Sequence, residues 1–170
     1  SIAVPDAHYD AAVSGLVLNF VPEPARMVHE MKRSIHTGGI AALYVWDYAS
    51  KMQFMRHFWN AAAALDSTAR ELDEGIRFPI CHPQSLMALF QDAGFSELET
   101  YPVDINTDFK NFDDYWLPFL GGQGPAAGYV TSLSDERRTQ LRNRIYDSLP
   151  FALDGSIPLV ARAWAIKGIK

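Results

Sequence analysis

Residues 10–46 read "DAAVSGLVLNFVPEPARMVHEMKRSIHTGGIAALYVW", and this stretch decides the fold. The run Tyr9–Val17 is apolar and broken only by small residues, the pattern of a parallel strand buried on both faces. Val21–Pro24 makes a turn, and Pro24 suits the first turn of a helix, where its missing N–H costs nothing. Over Ala25–Ile35, the residues Met27, Val28, Met31 and Ile35 recur on one helical face. Lys32, Arg33 and His36 gather near the end of that helix, where the dipole favours cations. Gly38-Gly39 is expected to stop it. Ile40–Trp46 then reads as a second buried strand. A unit of this kind is almost always a right-handed crossover between parallel strands.

Beyond this unit, Met52–Leu65 is a predicted helix with Phe54, Met55, Phe58, Ala62 and Leu65 on one face. Asp66–Leu72 adds a short helical turn, ended by Gly75. Pro83–Ala93 is a helix that buries Leu86, Met87, Leu89 and Phe90 and stops at Gly94. Glu97–Asn106 alternates like a strand, and Pro102, which lacks a ladder donor, places it at a sheet edge. Phe112–Leu120 is a short aromatic helix, followed by "GGQGPAAG" as a loop. Ser134 caps a helix reaching Leu149, with Asp135 and Glu136 in its first turn. Ile157–Ile166 is the last strand. The order amounts to half of a doubly wound α/β sheet. The 170 residues suit a single domain, with helical inserts at about 50–80 and 108–150.

Hydrophobic residues make up 48% and charged residues 21%, a soluble globular composition. No apolar run approaches the ~20 residues of a membrane helix. The opening "SIAVPDAHYD" has no basic flank leading into an apolar stretch, so no signal peptide is read there. The net charge is −5, and the densest basic group, Arg137–Arg144, is diluted by Asp135 and Glu136, which argues against a nucleic-acid partner. Cys81 stands alone, which suits a reducing, cytoplasmic compartment and reads as a packed thiol. The histidines (His8, His29, His36, His57, His82) have no metal-ligand spacing, so no metal is expected. There is no nucleophile elbow and no phosphate loop, which ranks an enzyme on an unrelated α/β fold last.

The segment "YDAAVSGLVLNFVPEPARMVHEMKRSIHTGGIAALYVWD" resembles the centre of class I S-adenosylmethionine-dependent methyltransferases. The marks are Asp10, Ser14-Gly15, Pro22-Glu23-Pro24, Arg33 and Thr37-Gly38-Gly39. "HPQSLMALFQDAGFSELE" is similar to the family's next helix and sixth strand, with its Ala93-Gly94-Phe95 junction, and "SIPLVARAWAIKGIK" to its seventh strand. The resemblance implies a partial Rossmann-like methyltransferase sheet, with strands equivalent to 4, 5, 7 and 6. The seventh is antiparallel and inserted before the edge. The family's glycine-rich loop follows its first strand, and an acidic residue ends its second. Neither is found here, and strands one to three are expected ahead of Ser1. Gly122-Gln123-Gly124 matches G-x-G, but no strand precedes it.

The resemblance also implies a site. Ligands of open α/β sheets bind at the carboxyl ends of the strands. There it places Ser14, Gly15, Leu16 and Asn19 against the cofactor, S-adenosylmethionine in the family. Ser14 and Gly15 read equally as small residues needed for packing. Asp47-Tyr48, after the second strand, faces the same cleft. The aromatic inserts "MQFMRHFW" and "DDYWLPFL" resemble a substrate lid, with Tyr48, Arg56, Trp59, Tyr115 and Trp116 as its candidates. Phe54, Phe58 and Phe119 read instead as core. Methyl transfer aligns acceptor, carbon and sulfur and needs a base only where the acceptor loses a proton; no catalytic residue is selected, with His57 and Asp47 as candidates. The expected function is methylation of a small molecule, this chain being the substrate-lid half and inactive alone. The alternative is a non-catalytic methyltransferase-like module that self-associates as a homodimer or larger assembly. Its apolar strand Tyr9–Val17 would offer an open edge for pairing.

Overall fold

The computed structural model describes residues 3–121 and 123–170. Gly122, the first glycine of the G-x-G match, lies outside the described residues. The chain forms two compact units. The first comprises Ser1–Asp47, Phe78–Val103 and Arg162–Lys170, and the second Tyr48–Arg77 and Asp104–Ala161.

The first unit carries strand β1 (Tyr9–Gly15), helix α1 (Pro24–Ser34) and strand β2 (Ile35–Trp46). Two helices between β2 and the next part of this unit, α2 (Gln53–Leu65) and α3 (Glu74–Arg77), belong to the second unit. The first unit resumes with α4 (Pro83–Asp92) and the start of strand β3 (Ser96–Phe109). The second unit adds α5 (Phe112–Trp116), α6 (Gly124–Ser132), α7 (Asp135–Ser148) and the start of β4 (Ile157–Ile169). The four strands run in the order β1-β2-β4-β3. β1 pairs with β2 in parallel, from Ala11↔Ile40 to Gly15↔Tyr44, and β2 pairs with β4 antiparallel, from Ile40↔Ile169 to Trp46↔Ala163. Strand β3 is at one edge, where Pro102 deprives no inner ladder of a donor. The core of this unit is built from Val28, Met31, Leu43, Val45, Phe90 and Ile166, all buried.

Two sequence expectations are corrected in this unit. Tyr9–Val17 is not buried on both faces. β1 ends at Gly15 and lies at a sheet edge, so Val13 is 72% exposed. The apolar run is there, but among the described residues no strand covers its outer flank. The double glycine does not stop α1. That helix ends at Ser34, Ile35 is already extended, and Gly38-Gly39 sits inside β2. The pairing jumps there from Tyr9↔Ile35 to Ala11↔Ile40, so the extra residues of β2 form a bulge. Gly38 has φ +83°, and a Cβ on Gly39 would stand 2.9 Å from the carbonyl of Asp10. Both positions need glycine for the bulge rather than for a helix end.

In the second unit, an aromatic core joins Phe58, Trp59, Tyr115, Phe119, Tyr129 and Ile145. Phe58 and Phe119 stack with their ring centroids 4.4 Å apart. Ser134 caps α7 as expected, its hydroxyl accepting from the Arg137 N–H at 3.3 Å. The "GGQGPAAG" segment is not a loop throughout. From Gly124 it is helix α6, with Pro125 in the first turn and Ala126, Ala127, Tyr129 and Val130 buried. Burial of that small apolar face outweighs the low helix propensity of its glycines. Gly75, expected to end a helical turn, lies within α3. Among the described residues no helix is long and apolar enough to cross a membrane.

Candidate functional site

In the first unit the site is the carboxyl end of β1. Ser14 and Gly15 close the strand, and Leu16 follows with φ 58°, a left-handed backbone that a branched side chain seldom adopts. The Leu16 N–H donates to the carbonyl of Tyr44 at 2.8 Å, so the turn away from the sheet is anchored on β2. A residue held in this region marks a place where the surrounding structure dictates the backbone. Asn19 lies just beyond, in the short 3-10 turn Leu18–Phe20, and its side-chain amide nitrogen is buried without a hydrogen-bond partner. Sequence reasoning missed Tyr44. Its ring crosses Gly15, and a Cβ at position 15 would stand 2.4 Å from Tyr44 Oη. The signal was present as a lone tyrosine in an aliphatic strand, but only the Gly15↔Tyr44 register shows what it covers.

The four residues expected at the cofactor are thus neighbours at one strand end. The strand end presents a half-buried hydroxyl (Ser14), backbone without a side chain (Gly15) and the amide nitrogen of Asn19. Asp47, at the end of β2, is 2% exposed, and its N–H donates to the carbonyl of Arg162 at 2.8 Å. Cys81 lies near it. Burial, first, and the Asp47 charge push this thiol up to about 12, so it is a packed, protonated group rather than a nucleophile.

The second unit carries all five lid candidates. Trp59, Tyr115 and Trp116 are buried in the aromatic core, while Tyr48 is half-buried. Tyr115 Oη donates to the carbonyl of Phe54 at 2.7 Å. Arg56 is ion-paired with Asp73, and both are nearly enclosed. His57 faces another way. Its Nδ1 lies 3.1 Å from Ser148 Oγ, which itself donates to the carbonyl of Ile145 at 2.8 Å. Burial lowers the pKa of the ring. Among the described residues no cluster of His, Cys, Asp and Glu can hold a metal ion.

A pocket of about 250 Å³ opens beside these residues, within the same unit. Phe54, Met55, Phe119, Gln123 and Ala127 line it, together with Glu74. Glu74 is 7% exposed, and its carboxylate accepts from the indole N–H of Trp59 at 2.5 Å. Desolvation raises its pKa above the usual glutamate range. Sequence reasoning missed this residue, because in "ELDEG" it is indistinguishable from its exposed neighbour Glu71.

A methyltransferase-domain family model matches residues 1–43, which hold β1, α1 and most of β2. No curated protein matches the chain. Several solved structures do. A protein of Anabaena variabilis, described as a methyltransferase from an antibiotic biosynthesis pathway, is 14% identical with a TM-score of 0.56. The match covers 100% of this chain and 70% of that one. A protein of Bacillus halodurans, described as a methyltransferase, is 14% identical with a TM-score of 0.54, over 100% of this chain and 68% of that one. The YcgJ protein of Bacillus subtilis is 16% identical with a TM-score of 0.52, over 100% and 67%. The chain therefore has an α/β fold, with a small mixed sheet and helical insertions, distantly similar to the Rossmann-like fold of class I S-adenosylmethionine-dependent methyltransferases.

Proposed function

We propose that the chain is the part of a small-molecule methyltransferase that begins at the family's fourth strand. On this reading β1, β2, β4 and β3 are equivalent to strands 4, 5, 7 and 6. The observation that carries it is the carboxyl end of β1. There the strained Leu16 and the unpartnered amide nitrogen of Asn19 directly follow a strand of the parallel β1–β2 pair. Ser14, Gly15, Leu16 and Asn19 hold one edge of the cofactor. S-adenosylmethionine supplies the activated methyl group when bound, and the protein's own task is alignment and exclusion of water. The substrate lid is drawn from the second unit, with Trp59, Tyr115 and Trp116 as its body and Tyr48 and Arg56 at its margin. Where an acceptor must lose a proton, Asp47 or the neutral His57 is the base. The lone buried thiol fits a cytoplasmic setting.

Calorimetric titration with S-adenosylhomocysteine tests this. Micromolar binding that weakens about tenfold in Asn19→Ala, or ~1.4 kcal/mol, supports the site. No binding at millimolar ligand removes cofactor binding by this chain alone.

One observation favours a second reading, a non-catalytic module that self-associates. Among the described residues no strand pairs with the outer edge of β1, which is apolar, with Tyr9 41% and Val13 72% exposed. Sedimentation then shows a homodimer or larger species, and a monomer at high concentration rules this out.

A further inference from the structure

We propose that the hollow between α2 and α7 of the second unit binds the carboxylate of a small organic acid, with the Arg144 guanidinium as counter-charge and the Asn60 amide beside it. The site stands apart from the cofactor reading and uses residues of this unit alone. The two helices share a buried core, α2 through Phe58 and Ala62 and α7 through Leu141 and Ile145. Flanking it, His57, Asn60 and Ala61 recur at helical spacing on α2, and Arg144 and Ser148 lie about one turn apart on α7. These residues line a hollow of about 360 Å³. That volume falls within the ~300–1,000 Å³ of small-molecule sites and exceeds what a bare inorganic ion fills.

Other arginines of α7 are neutralised by the chain itself. Arg138 pairs with Asp135 at 3.3 Å, and Arg142 pairs with Asp113 at 3.8 Å while lying over the Phe112 ring. The Arg144 guanidinium makes no ion pair and no hydrogen bond among the described residues, and neither does the Asn60 side chain. Among the described residues no carboxylate lines the hollow, and Asp147 of the same helix is exposed outside it. A guanidinium is a rigid fork of donors that matches the two oxygens of a carboxylate, and an amide N–H can add a further bond. The half-buried ring of His57, its Nδ1 3.1 Å from Ser148 Oγ, and the methyl group of Ala61 complete the lining and leave ring and methyl surface for the organic part of the acid. A cationic ligand is repelled by Arg144, and a neutral one makes no use of its charge.

The probe is benzoate, compared with benzamide, its neutral counterpart, by titration into the whole chain at pH 7 in a chloride buffer of constant ionic strength. Benzoate is expected to bind about tenfold tighter than benzamide and to move the ring resonances of His57. Arg144→Gln, a change at an exposed position, should abolish the preference, and Arg144→Lys, which keeps the charge without the fork, should retain part of it. Asn60→Ala should weaken benzoate about threefold. Inorganic phosphate, the third probe, should bind more weakly than benzoate. Equal affinity for benzoate and benzamide, no binding of either, a preference that survives Arg144→Gln, phosphate binding as tight as that of benzoate, or binding that leaves His57 unmoved overturns the proposal.

Discussion

The ring of Tyr44 lies across Gly15, so close that a Cβ at position 15 would meet Tyr44 Oη at 2.4 Å and Cζ at 2.5 Å. The two residues are register partners on β1 and β2, and the Tyr44 carbonyl also accepts the Leu16 N–H. One side chain thus shapes the strand end that is proposed to face the cofactor. Tyr44 is 42% exposed, so its ring can swing aside where backbone could not.

Gly15→Ala should therefore destabilise the protein modestly, by about 1 kcal/mol, through displacement of the Tyr44 ring. In a Tyr44→Ala background the same change should be neutral or stabilising by about 0.5–1 kcal/mol, because alanine loses less backbone entropy than glycine. Urea unfolding of the four proteins gives the coupling directly. Equal effects in both backgrounds would mean that the ring does not occupy this position.

Glu74 should be needed by Trp59. Glu74→Leu leaves the buried indole N–H without an acceptor and should cost about 1–3 kcal/mol in thermal or urea unfolding. Glu74→Gln, which still offers a carbonyl oxygen, should cost less. Burial raises the folded pKa of Glu74 above its unfolded value near 4.5. Its contribution to stability is then complete below that value and is lost as pH rises through the folded pKa. Unfolding measured from pH 4 upward should show this loss in the wild type and not in Glu74→Gln.

His36 should titrate above its ordinary value of 6.5. The cause is first its hydrogen bond to Asp10, at 2.7 Å from Nε2, and then its bond to the Thr37 carbonyl at 2.9 Å from Nδ1. His57 should titrate below 6.5, because burial disfavours its charged form. A proton-detected titration should place the two on opposite sides of 6.5, and Asp10→Asn should bring His36 back down while leaving His57 unmoved. The raised His36 stabilises the fold at pH below 6.5 and loses that effect as pH rises through its folded pKa. His57 acts the other way. Its contribution is present above 6.5 and is lost as pH falls through its folded pKa.

Phe58 is fully buried at the centre of the second unit, stacked on Phe119 and edge-on to Trp59 at 4.9 Å. Phe58→Ala should destabilise by about 3–5 kcal/mol. Near-ultraviolet circular dichroism should report the loss, since the ring environment of Trp59 changes with it. A cost below about 1 kcal/mol would contradict a close-packed aromatic core.

The sequence by itself determined the elements whose signals are local. Pro24 and Pro83 open α1 and α4, Ser134 opens α7, and the apolar run from Ile40 marks a strand, though not one buried on both faces, since Ile40 and Tyr44 are exposed. Pro102 determined an edge for β3, because a missing N–H is a fault only where a neighbour needs it. Tertiary structure alone decided the rest. Gly38-Gly39 reads as a helix stop from its neighbours, but its use depends on Asp10, a residue of another strand. The helix from Gly124 has low intrinsic propensity and exists because Ala126, Ala127 and Val130 are buried. The same holds for the candidate sites. Ser14, Gly15, Leu16 and Asn19 lie within six residues, so the end of β1 and the turn after it bring them together whatever the rest of the chain does. Tyr44 over Gly15 and Glu74 beside Trp59 are separated along the chain, so only the fold brings each pair together, and burial rather than residue type sets Glu74 apart.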